Sequence, residues 1–573
     1  MRTGYGYTDK LESYRMKTPL SRTLISLVCL AGAVGALAAA PPSEIGRAGM
    51  VASDHRRAST AGRDVLASGG NAVDAAVATA LASGVVQPAS SGLGGGGFAV
   101  VVLPNGERSV LDFREVAPKK AHRDMYVDAD DDQASRIGGL ANAVPGEARG
   151  LEALHKRYGK LPWRAVVEPA LALAQDGFAV EHHLAKALRG LQDDALPVTR
   201  GLFDATTVPR QGDPVTRSEL GITLQRLAQD GADALHEGEG AKAIARASRA
   251  AGGILTADDL SAYRPKDREP IVGSYRGWTL ITMPPPSSGG VVIVQMLGVL
   301  EGYDLASLGH NSSDYVHLVS EASKHGFADR ARLMGDPDRV AVPVDKLISP
   351  ERIRAVQRAI LPGRTFAPDH YGIPVDPGTD GGTLHLSTLD ADGMAVALTT
   401  TINTSFGSRV TVPGWGLVLN NEMDDFVARP GVPNAYGLVG SEANAVSAGA
   451  RPLSSMSPTV LISPDGSQRI VVGASGGPFI ITSTLQAIVN IIDFGMEPSE
   501  AVSAPRFHHQ WQPERLFLDD GFSRDTVRAL ESRGHAVAEM NFFSAVQVIH
   551  QTGPEVLLGA SDPRKGGWPA GVR

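Results

Sequence analysis

The chain has 573 residues, with 54 Lys and Arg against 62 Asp and Glu, which gives a formal net charge of −8 at pH 7. Because no basic block interrupts this balance, the composition argues against nucleic acid as a partner. The length allows either several domains or one large core with insertions.

The first 40 residues have the pattern of a secretory signal peptide. An apolar run from Leu24 to Ala40 is followed by Pro41, so the mature protein is predicted to begin there and to be periplasmic or secreted. An uncleaved anchor is the alternative, but 17 residues rich in Ala and Gly make a poor span. The only cysteine, Cys29, leaves with the peptide, which excludes disulfides and thiol catalysis from the mature chain. The basic residues before the run are Arg15, Lys17 and Arg22, and Met16 is an alternative start.

Residues 45–110 predict a helix-rich start that ends in a glycine run and a strand pair. The run at 92–97 lacks the Lys and Ser/Thr that follow the glycines of a phosphate-binding loop, so it predicts a tight packing turn. The two strands are predicted at 98–103 and 109–113, around a turn that contains Asn105 and Gly106.

From about residue 145 to 360 the pattern is mainly helical. The cluster Asn-Ser-Ser-Asp at 311–314 predicts a helix start, and Val316, Val319 and Ala322 then fall on one face. Residues 361–382 are rich in proline and glycine and predict an exposed connector. Such a segment suits a chain end that must move away after cleavage.

Strands are predicted again from residue 383. Two runs, 383–389 and 394–403, flank the turn signal Asp-Ala-Asp-Gly and form an antiparallel hairpin. With residues 390–393 as the loop, Thr383 lies opposite about Thr400, and the polar side chains near the open end suit a site or a sheet edge better than ordinary core. A strand at 469–472 then leads through glycines into a helix near Phe479.

The stretch Gly381-Gly382-Thr383 carries the first chemical hypothesis. A hydroxyl is a weak nucleophile at neutral pH and needs a base within hydrogen-bond reach. Cleavage between Gly382 and Thr383 would give Thr383 a free α-amine, and with it a nucleophile and a base in one residue. From these residues alone, a loop that enters a strand is the more common alternative, and Thr383 is a candidate catalytic nucleophile.

This stretch resembles the nucleophile region of the γ-glutamyltranspeptidase family of N-terminal nucleophile hydrolases. Five further blocks, on both sides of this stretch, occur in the order found in the family, so the resemblance covers nearly the whole chain from about residue 45. It implies an α+β fold, a four-layer αββα sandwich formed by two fragments of one autocleaved chain. The fragments are a large subunit, 41–382, and a small subunit, 383–573. The blocks are Asp-Phe-Arg-Glu at 112–115, Met-Pro-Pro-Pro-Ser-Ser-Gly-Gly at 283–290, Asn-Asn-Glu-Met-Asp-Asp-Phe at 420–426, Pro-Leu-Ser-Ser-Met-Ser-Pro at 452–458 and Gly-Gly at 476–477.

The resemblance implies an enzyme that takes the γ-glutamyl group of glutathione or a related amide onto Thr383. Water or an amino acid or peptide amine then accepts the group. The expected partners are these small molecules and the two subunits of the precursor, with no stable membrane association. A γ-glutamyl donor ends in a free amino acid, so the pocket must bind one carboxylate and one ammonium. Arg114 suits the carboxylate because its planar fork pairs bidentately, and the family match adds the hydroxyls of Ser454 and Ser455.

For the ammonium group, gathered acceptors repay part of the cost of desolvating a cation. The candidates are Asp425, Glu422 and Asn403, and the family match makes Asp425 the main partner. Glutaryl-type cephalosporin acylases of the same fold bind a side chain without the α-amine and would not need this aspartate. Asp425 therefore favours a γ-glutamyl donor over a glutaryl one.

The oxyanion of the tetrahedral intermediate needs fixed donors, and the backbone amides of Gly476 and Gly477 before a helix suit this task. By resemblance, Thr401 hydrogen-bonds the Thr383 hydroxyl. Residues 430–437 resemble a lid whose Tyr436 closes over the bound donor. The proposed chemistry requires no metal and no cofactor.

Two other functions remain open from the sequence. Gly-Ala-Ser-Gly-Gly at 473–477 matches the nucleophile elbow of α/β-hydrolases, with Ser475 as the nucleophile, but the expected βα alternation upstream is missing. A secreted protein that binds glutamyl compounds without cleaving them would keep the pocket and leave Thr383 internal. The adjacent pair His508-His509 would point to opposite faces of a strand, so it does not predict a metal site. The proposed partners of Ser475 are Asp493 or Asp519 with His508, His509 or His535.

Overall fold

Two seven-stranded antiparallel sheets lie face to face at the centre of the protein. This computed structural model describes residues 40–372, 382–427, 434–540 and 544–573. The first sheet contains, from edge to edge, Glu44–Gly46, Val556–Ser561, Ala545–Gly553, Arg469–Ser475, Thr459–Ile462, Trp278–Thr282 and Ile271–Tyr275. The second contains Ala570–Val572, Gly49–Ser53, Thr383–Asp390, Ala395–Thr401, Gly96–Val102, Arg108–Phe113 and Lys266–Arg268. Smaller sheets pair Phe178–Ala179 with Pro214–Val215, Thr411–Val412 with Leu417–Val418, and Leu516–Leu518 with both Phe507–His508 and Val537–Glu539.

Helices cover the outer face of each sheet. Arg56–Ala67 and Ala72–Val86 pack on the second sheet, and Gly289–Leu300 and Phe479–Ile492 pack on the first. This arrangement confirms the predicted four-layer αββα sandwich. None of the helices within the described residues combines the length and the apolar character needed to cross a bilayer. The remaining α-helices are Glu147–Tyr158, Trp163–Asp176, His182–Gly190, Ala195–Leu202, Ser218–Asp230, Asp233–His236, Gly238–Ala250, Ala257–Ala262, Leu305–Leu308, Ser313–Leu333, Val344–Leu347, Pro350–Ala359, Pro498–Ser503 and Arg524–Ser532.

The local sequence signals place several elements correctly. The cap cluster at 311–314 starts the helix Ser313–Leu333, where the Ser312 hydroxyl accepts a hydrogen bond from the Tyr315 amide at 3.1 Å. The helix expected near Phe479 begins at that residue. Residues 1–39 of the predicted signal peptide and residues 373–381 of the predicted connector lie outside the described residues.

The hairpin Thr383–Asp390 and Ala395–Thr401 exists as predicted, but its predicted register is wrong by one residue. Thr383 pairs with Thr401, not Thr400, and Ser387 pairs with Ala397. The cause is Asp390, which extends the first strand instead of opening the loop. Its carboxylate accepts the backbone amides of Asp392 and Met394 at 3.1 and 2.9 Å, so the turn occupies residues 391–394.

The glycine run at 92–97 is a packing turn, as predicted. A Cβ on Gly94 would lie 2.0 Å from the Val418 carbonyl oxygen, and one on Gly95 would lie 1.9 Å from that of Thr401. A Cβ on Gly97 would meet the Thr399 oxygen at 2.2 Å. These glycines let the backbone of one strand approach its neighbour closely, directly beside Thr401.

We expect Gly95→Ala to lower the stability by about 3 kcal/mol, because the methyl group would meet backbone that cannot move aside. The matched control is Gly190→Ala at the end of an exposed helix, where a Cβ would have no atom within 4 Å. The melting temperatures of both variants, measured by calorimetry, test this. A Gly95→Ala protein that melts together with the control would contradict the packing account.

Candidate active site

A cleft opens beside the first residue of the strand Thr383–Asp390. Ten of the eleven residues that the sequence predicts for the site line it, and the eleventh, Gly476, precedes one of them in the chain. Leu438, Met456 and Ile480 add apolar surface. The ten predicted residues are Arg114, Thr383, Thr401, Asn403, Glu422, Asp425, Tyr436, Ser454, Ser455 and Gly477.

The Thr401 hydroxyl sits at the centre of a complete hydrogen-bond set. Its Oγ1 lies 2.8 Å from the Gly382 carbonyl oxygen and 3.2 Å from Thr383 Oγ1, and the Asn403 amide donates to it at 2.8 Å. A carbonyl oxygen can only accept, so the one Thr401 proton goes to Gly382 and the Thr383 hydroxyl donates to Thr401. The nucleophile and the carbonyl of the predicted cleavage site therefore share one partner.

Arg114 is the central cation of a buried charge cluster that also lines the cleft. Its two terminal nitrogens contact carboxylate oxygens of Glu422 and Asp425, the latter at 2.5 Å, and its Nε donates to the Pro452 carbonyl at 3.3 Å. Arg114 and Glu422 are buried, while Asp425 keeps 11% of its side chain exposed. Asp425 is thus the carboxylate of this pair that faces the cleft opening.

Burial governs the protonation of this cluster. It raises the pKa of Glu115, the neighbour of Arg114, to about 7, and it raises the pKa of Glu422 well above its usual range. Burial raises the pKa of Asp425 as well, although Arg114 opposes this shift. For Arg114, burial lowers the pKa, but Glu422 and Asp425 outweigh it and raise the pKa overall. The guanidinium stays charged while the carboxyl groups compete for ionisation.

Polar side chains complete the wall between the nucleophile and the charge cluster. Ser454 Oγ accepts the Met456 amide at 3.1 Å. Ser455 Oγ is buried and has no hydrogen-bond partner within the described residues. Asn403 has a positive φ of 75° and donates its side-chain amide to the Asn421 carbonyl at 3.0 Å. The unpaired Ser455 hydroxyl is available to a ligand.

Gly476 and Gly477 form the turn between the strand Arg469–Ser475 and the helix Phe479–Ile492. Both have positive φ, 117° and 58°, which favours glycine. A Cβ on Gly477 would meet the ring of Tyr436 at 2.4 Å. The Tyr436 hydroxyl donates to the Asn403 carbonyl at 2.6 Å, so Tyr436, in the described part of the predicted lid, packs between Asn403 and Gly477 at the cleft.

The geometry around Ser475 does not match a nucleophile elbow. Ser475 is fully buried, and its Oγ lies 2.7 Å from Lys565 Nζ and 3.4 Å from Asp54. No histidine is among its hydrogen-bond partners in the described part of the chain. His508, one of the bases considered for it, instead contacts Thr482 at 2.7 Å and Gln510 at 2.8 Å.

One group of buried side chains has the composition of a metal site. His317, Glu321 and His535 offer ligand atoms within 4.8 Å of one another. The Glu321 carboxylate already contacts the Lys324 ammonium at 3.1 Å and accepts from Tyr371 at 2.5 Å. The carboxylate of this group is therefore already paired with an ammonium.

Sequence reasoning missed two residues next to the site. Glu115 stands inside the quoted block at 112–115, and its acidic side chain beside Arg114 was the available signal. Lys565 donates to the Thr383 carbonyl at 2.8 Å. Nothing in its local sequence points to the nucleophile, 182 residues earlier in the chain.

Comparisons with known proteins agree with the fold and show the family. The Gamma-glutamyltranspeptidase family model matches residues 58–572. The chain is 41% identical to the glutathione hydrolase proenzyme of Escherichia coli K12, across 96% of this chain and 98% of that protein. The structure of Helicobacter pylori gamma-glutamyltranspeptidase is 38% identical with a TM-score of 0.54, and covers 58% of this chain and 97% of its own. Cephalosporin acylase from Bacillus halodurans is 28% identical with a TM-score of 0.81, over 94% and 99% of the two chains. The chain belongs to the γ-glutamyltranspeptidase family.

Proposed function

We propose that this protein is an autoprocessed γ-glutamyl acyltransferase and hydrolase, with Thr383 as its nucleophile and glutathione or related amides as donors. The observation that carries the proposal is one cleft that brings the Thr383 hydroxyl together with the Arg114, Glu422 and Asp425 cluster. The name of the Escherichia coli relative, glutathione hydrolase proenzyme, supports both the donor and the precursor.

The first reaction is the cut between Gly382 and Thr383. The Thr383 hydroxyl attacks the Gly382 carbonyl carbon, the peptide C–N bond breaks, and the hydroxyl proton is transferred to the α-nitrogen, which becomes a free amine. Water then hydrolyses the resulting ester and releases the Gly382 carboxylate. Thr401 supports this step because its hydroxyl donates to the Gly382 carbonyl and accepts from the Thr383 hydroxyl.

The second reaction uses the new amine as the base. It takes the proton of the Thr383 hydroxyl as Oγ1 attacks the γ-carbonyl of the donor, and it returns a proton to the leaving amine. The amides of Gly476 and Gly477 are proposed to stabilise the oxyanion. Water resolves the ester in hydrolysis, and an amino acid or peptide amine resolves it in transfer.

The charge cluster supports recognition of a free amino-acid end. Arg114 is paired with Asp425, which is the partner nearest the opening of the cleft. A zwitterion can give each member of this pair a new partner, because its carboxylate pairs with the guanidinium and its ammonium pairs with Asp425. Ser454, Ser455 and Asn403 are proposed to complete these contacts, and Tyr436 to shield the ester from bulk water.

The two proposed pieces, 41–382 and 383–573, would remain one folded unit after the cut. Both central sheets contain strands from each piece, and Thr383–Asp390 lies between Gly49–Ser53 and Ala395–Thr401. Removal of the signal peptide would leave this heterodimer in the periplasm or the medium. The "proenzyme" in the relative's name supports the two-piece form.

The alternatives receive less support. A glutaryl-type acylase shares the fold, but its donor has no ammonium to use Asp425. A non-catalytic binding protein would not need the contacts among Thr383, Thr401 and Gly382. The buried partners of Ser475 leave it without a base of the required kind.

We expect Thr383→Ala to abolish both the cut and the turnover, because no hydroxyl remains to attack either carbonyl. Thr383→Ser keeps the hydroxyl and is the matched control that retains both reactions. Intact mass and N-terminal sequencing detect the cut, and a chromogenic γ-glutamyl anilide reports turnover, which should fall at least about 10³-fold in the alanine variant. A processed and active alanine variant would disprove the assignment of the nucleophile.

We expect Asp425→Asn to lower kcat/KM for a γ-glutamyl anilide by about 10²-fold, mainly through KM, because the charged partner of the donor ammonium is lost. The glutaryl anilide, which lacks that ammonium, is the matched control and should lose far less. Steady-state kinetics with both substrates on the same processed preparation make the comparison. Equal losses with the two substrates would remove the role given to Asp425.

A further inference from the structure

A buried ammonium contacts the backbone carbonyl of the proposed nucleophile and belongs to a residue that does not line the cleft. Lys565 follows the strand Val556–Ser561, and its side chain is 96% buried, with a relative exposure of 4%. Its Nζ lies 2.8 Å from the Thr383 carbonyl oxygen, 2.7 Å from Ser475 Oγ and 3.7 Å from an Asp54 carboxylate oxygen. These three oxygen neighbours equal in number the three protons of an ammonium group.

The distances separate this arrangement from an ordinary buried ion pair. The two short contacts of Lys565 go to neutral oxygens, on Thr383 and on Ser475, while the carboxylate of Asp54 is about 1 Å farther away. Asp54 is itself held by Gln547 and by the Ser475 hydroxyl. Burying an ammonium is costly, and here its best hydrogen bonds go to the nucleophile and to the residue before Gly476.

We propose that Lys565 is a positioning residue that ties the Thr383 backbone to the Ser475-Gly476-Gly477 loop and places a positive charge behind the nucleophile. The proposal rests on the proposed function, which uses Thr383 as the nucleophile and the two glycines as oxyanion donors. One side chain then fixes the distance between the attacking oxygen and the donors that must receive the oxyanion. It also gives a role to the serine of the elbow-like motif.

The charge has a consequence for the amine that the cut would create. The Thr383 carbonyl oxygen is three covalent bonds from the α-nitrogen, so a cation at that oxygen disfavours protonation of the amine. The amine must be neutral to act as the base. Loss of the Lys565 charge therefore raises the pH at which the enzyme becomes active, and loss of the opposing Asp54 charge lowers it.

The other charges around Thr383 do not replace Lys565. Asp562 is buried with Arg506 at 2.6 Å and with Arg564 at 3.2 Å, so its charge is already balanced. Burial lowers the pKa of His183 to about 3 and raises that of Asp54 to about 6. Across the cleft, Arg114 is balanced by Glu422 and Asp425.

The test compares four variants of the full-length, processed protein. Lys565→Met removes the charge and both contacts, Asp54→Asn removes only the opposing charge, and Ser475→Ala removes only the tie to the loop. Lys324→Met is the matched control, since it loses a buried ammonium that contacts Glu321 and Thr365 instead of the site. The readouts are kcat and KM for the γ-glutamyl anilide and the pH dependence of kcat/KM.

In Lys565→Met, we expect kcat to fall about 10- to 100-fold with little change in KM, since the donor contacts are intact and only the geometry of attack is disturbed. The acid limb of the pH profile of kcat/KM should move to higher pH by about one unit in Lys565→Met and to lower pH in Asp54→Asn. In Ser475→Ala, kcat should fall while the acid limb of the profile stays at the wild-type pH. The control should lose only thermal stability.

A second readout does not depend on the substrate. Acetic anhydride acylates only a neutral amine, so the pH dependence of acetylation of the Thr383 α-amine, followed by mass spectrometry, should show the same opposite shifts. If the wild-type chain is cut but does not turn over the γ-glutamyl anilide, the proposed function fails while this readout still tests Lys565. Unmoved profiles in Lys565→Met and Asp54→Asn, or a wild-type chain that is never cut, would overturn the proposal.

Discussion

The pairing of Thr383 with Thr401 across the central hairpin is the constraint on which the site depends. Side chains alternate between the faces of a strand, so a slip of one residue would separate the two hydroxyls. The strands Gly49–Ser53 and Gly96–Val102 flank the hairpin on its two sides and hold this register across the sheet. A nucleophile at the end of such an element keeps its orientation when a chain end is released beside it.

The charge cluster imposes a second constraint, on the ligand. Arg114, Glu115, Glu422 and Asp425 place three carboxyl groups around one guanidinium, and burial raises the pKa of each of the three. The ionised partner nearest the opening is the one that a ligand can exchange. A zwitterion that pairs with both Arg114 and Asp425 adds no net charge to the cleft. A glutaryl group, in contrast, adds an uncompensated anion. Electrostatics of the cleft thus favour an amino-acid end.

The sequence predicts elements whose signals are local, and it fails where tertiary contacts decide. The helix Ser313–Leu333 follows from its cap, and the hairpin follows from its turn residues. The hairpin register does not, because the loop could begin at Asp390 or one residue later, and the hydrogen bonds of Asp390 decide between them. The blocks shared with the family predict most of the cleft residues together. Lys565 lies in none of them, and its contact with Thr383 exists only because the strand Val556–Ser561 returns the chain to the site.

Cleavage before Thr383 would change the chemistry of the site without changing the fold. The Gly382 amide donates to the Asn403 carbonyl at 2.9 Å, and Thr401 holds the Gly382 carbonyl, so the bond to be cut is anchored on the neighbouring chain. The Thr383 carbonyl, on the far side of the new amine, is anchored by Lys565. The released α-nitrogen would therefore stay beside its own hydroxyl, because the residue that carries it is fixed by its side chain and by its carbonyl. The amine that cleavage would create would then lie where the peptide nitrogen lies now.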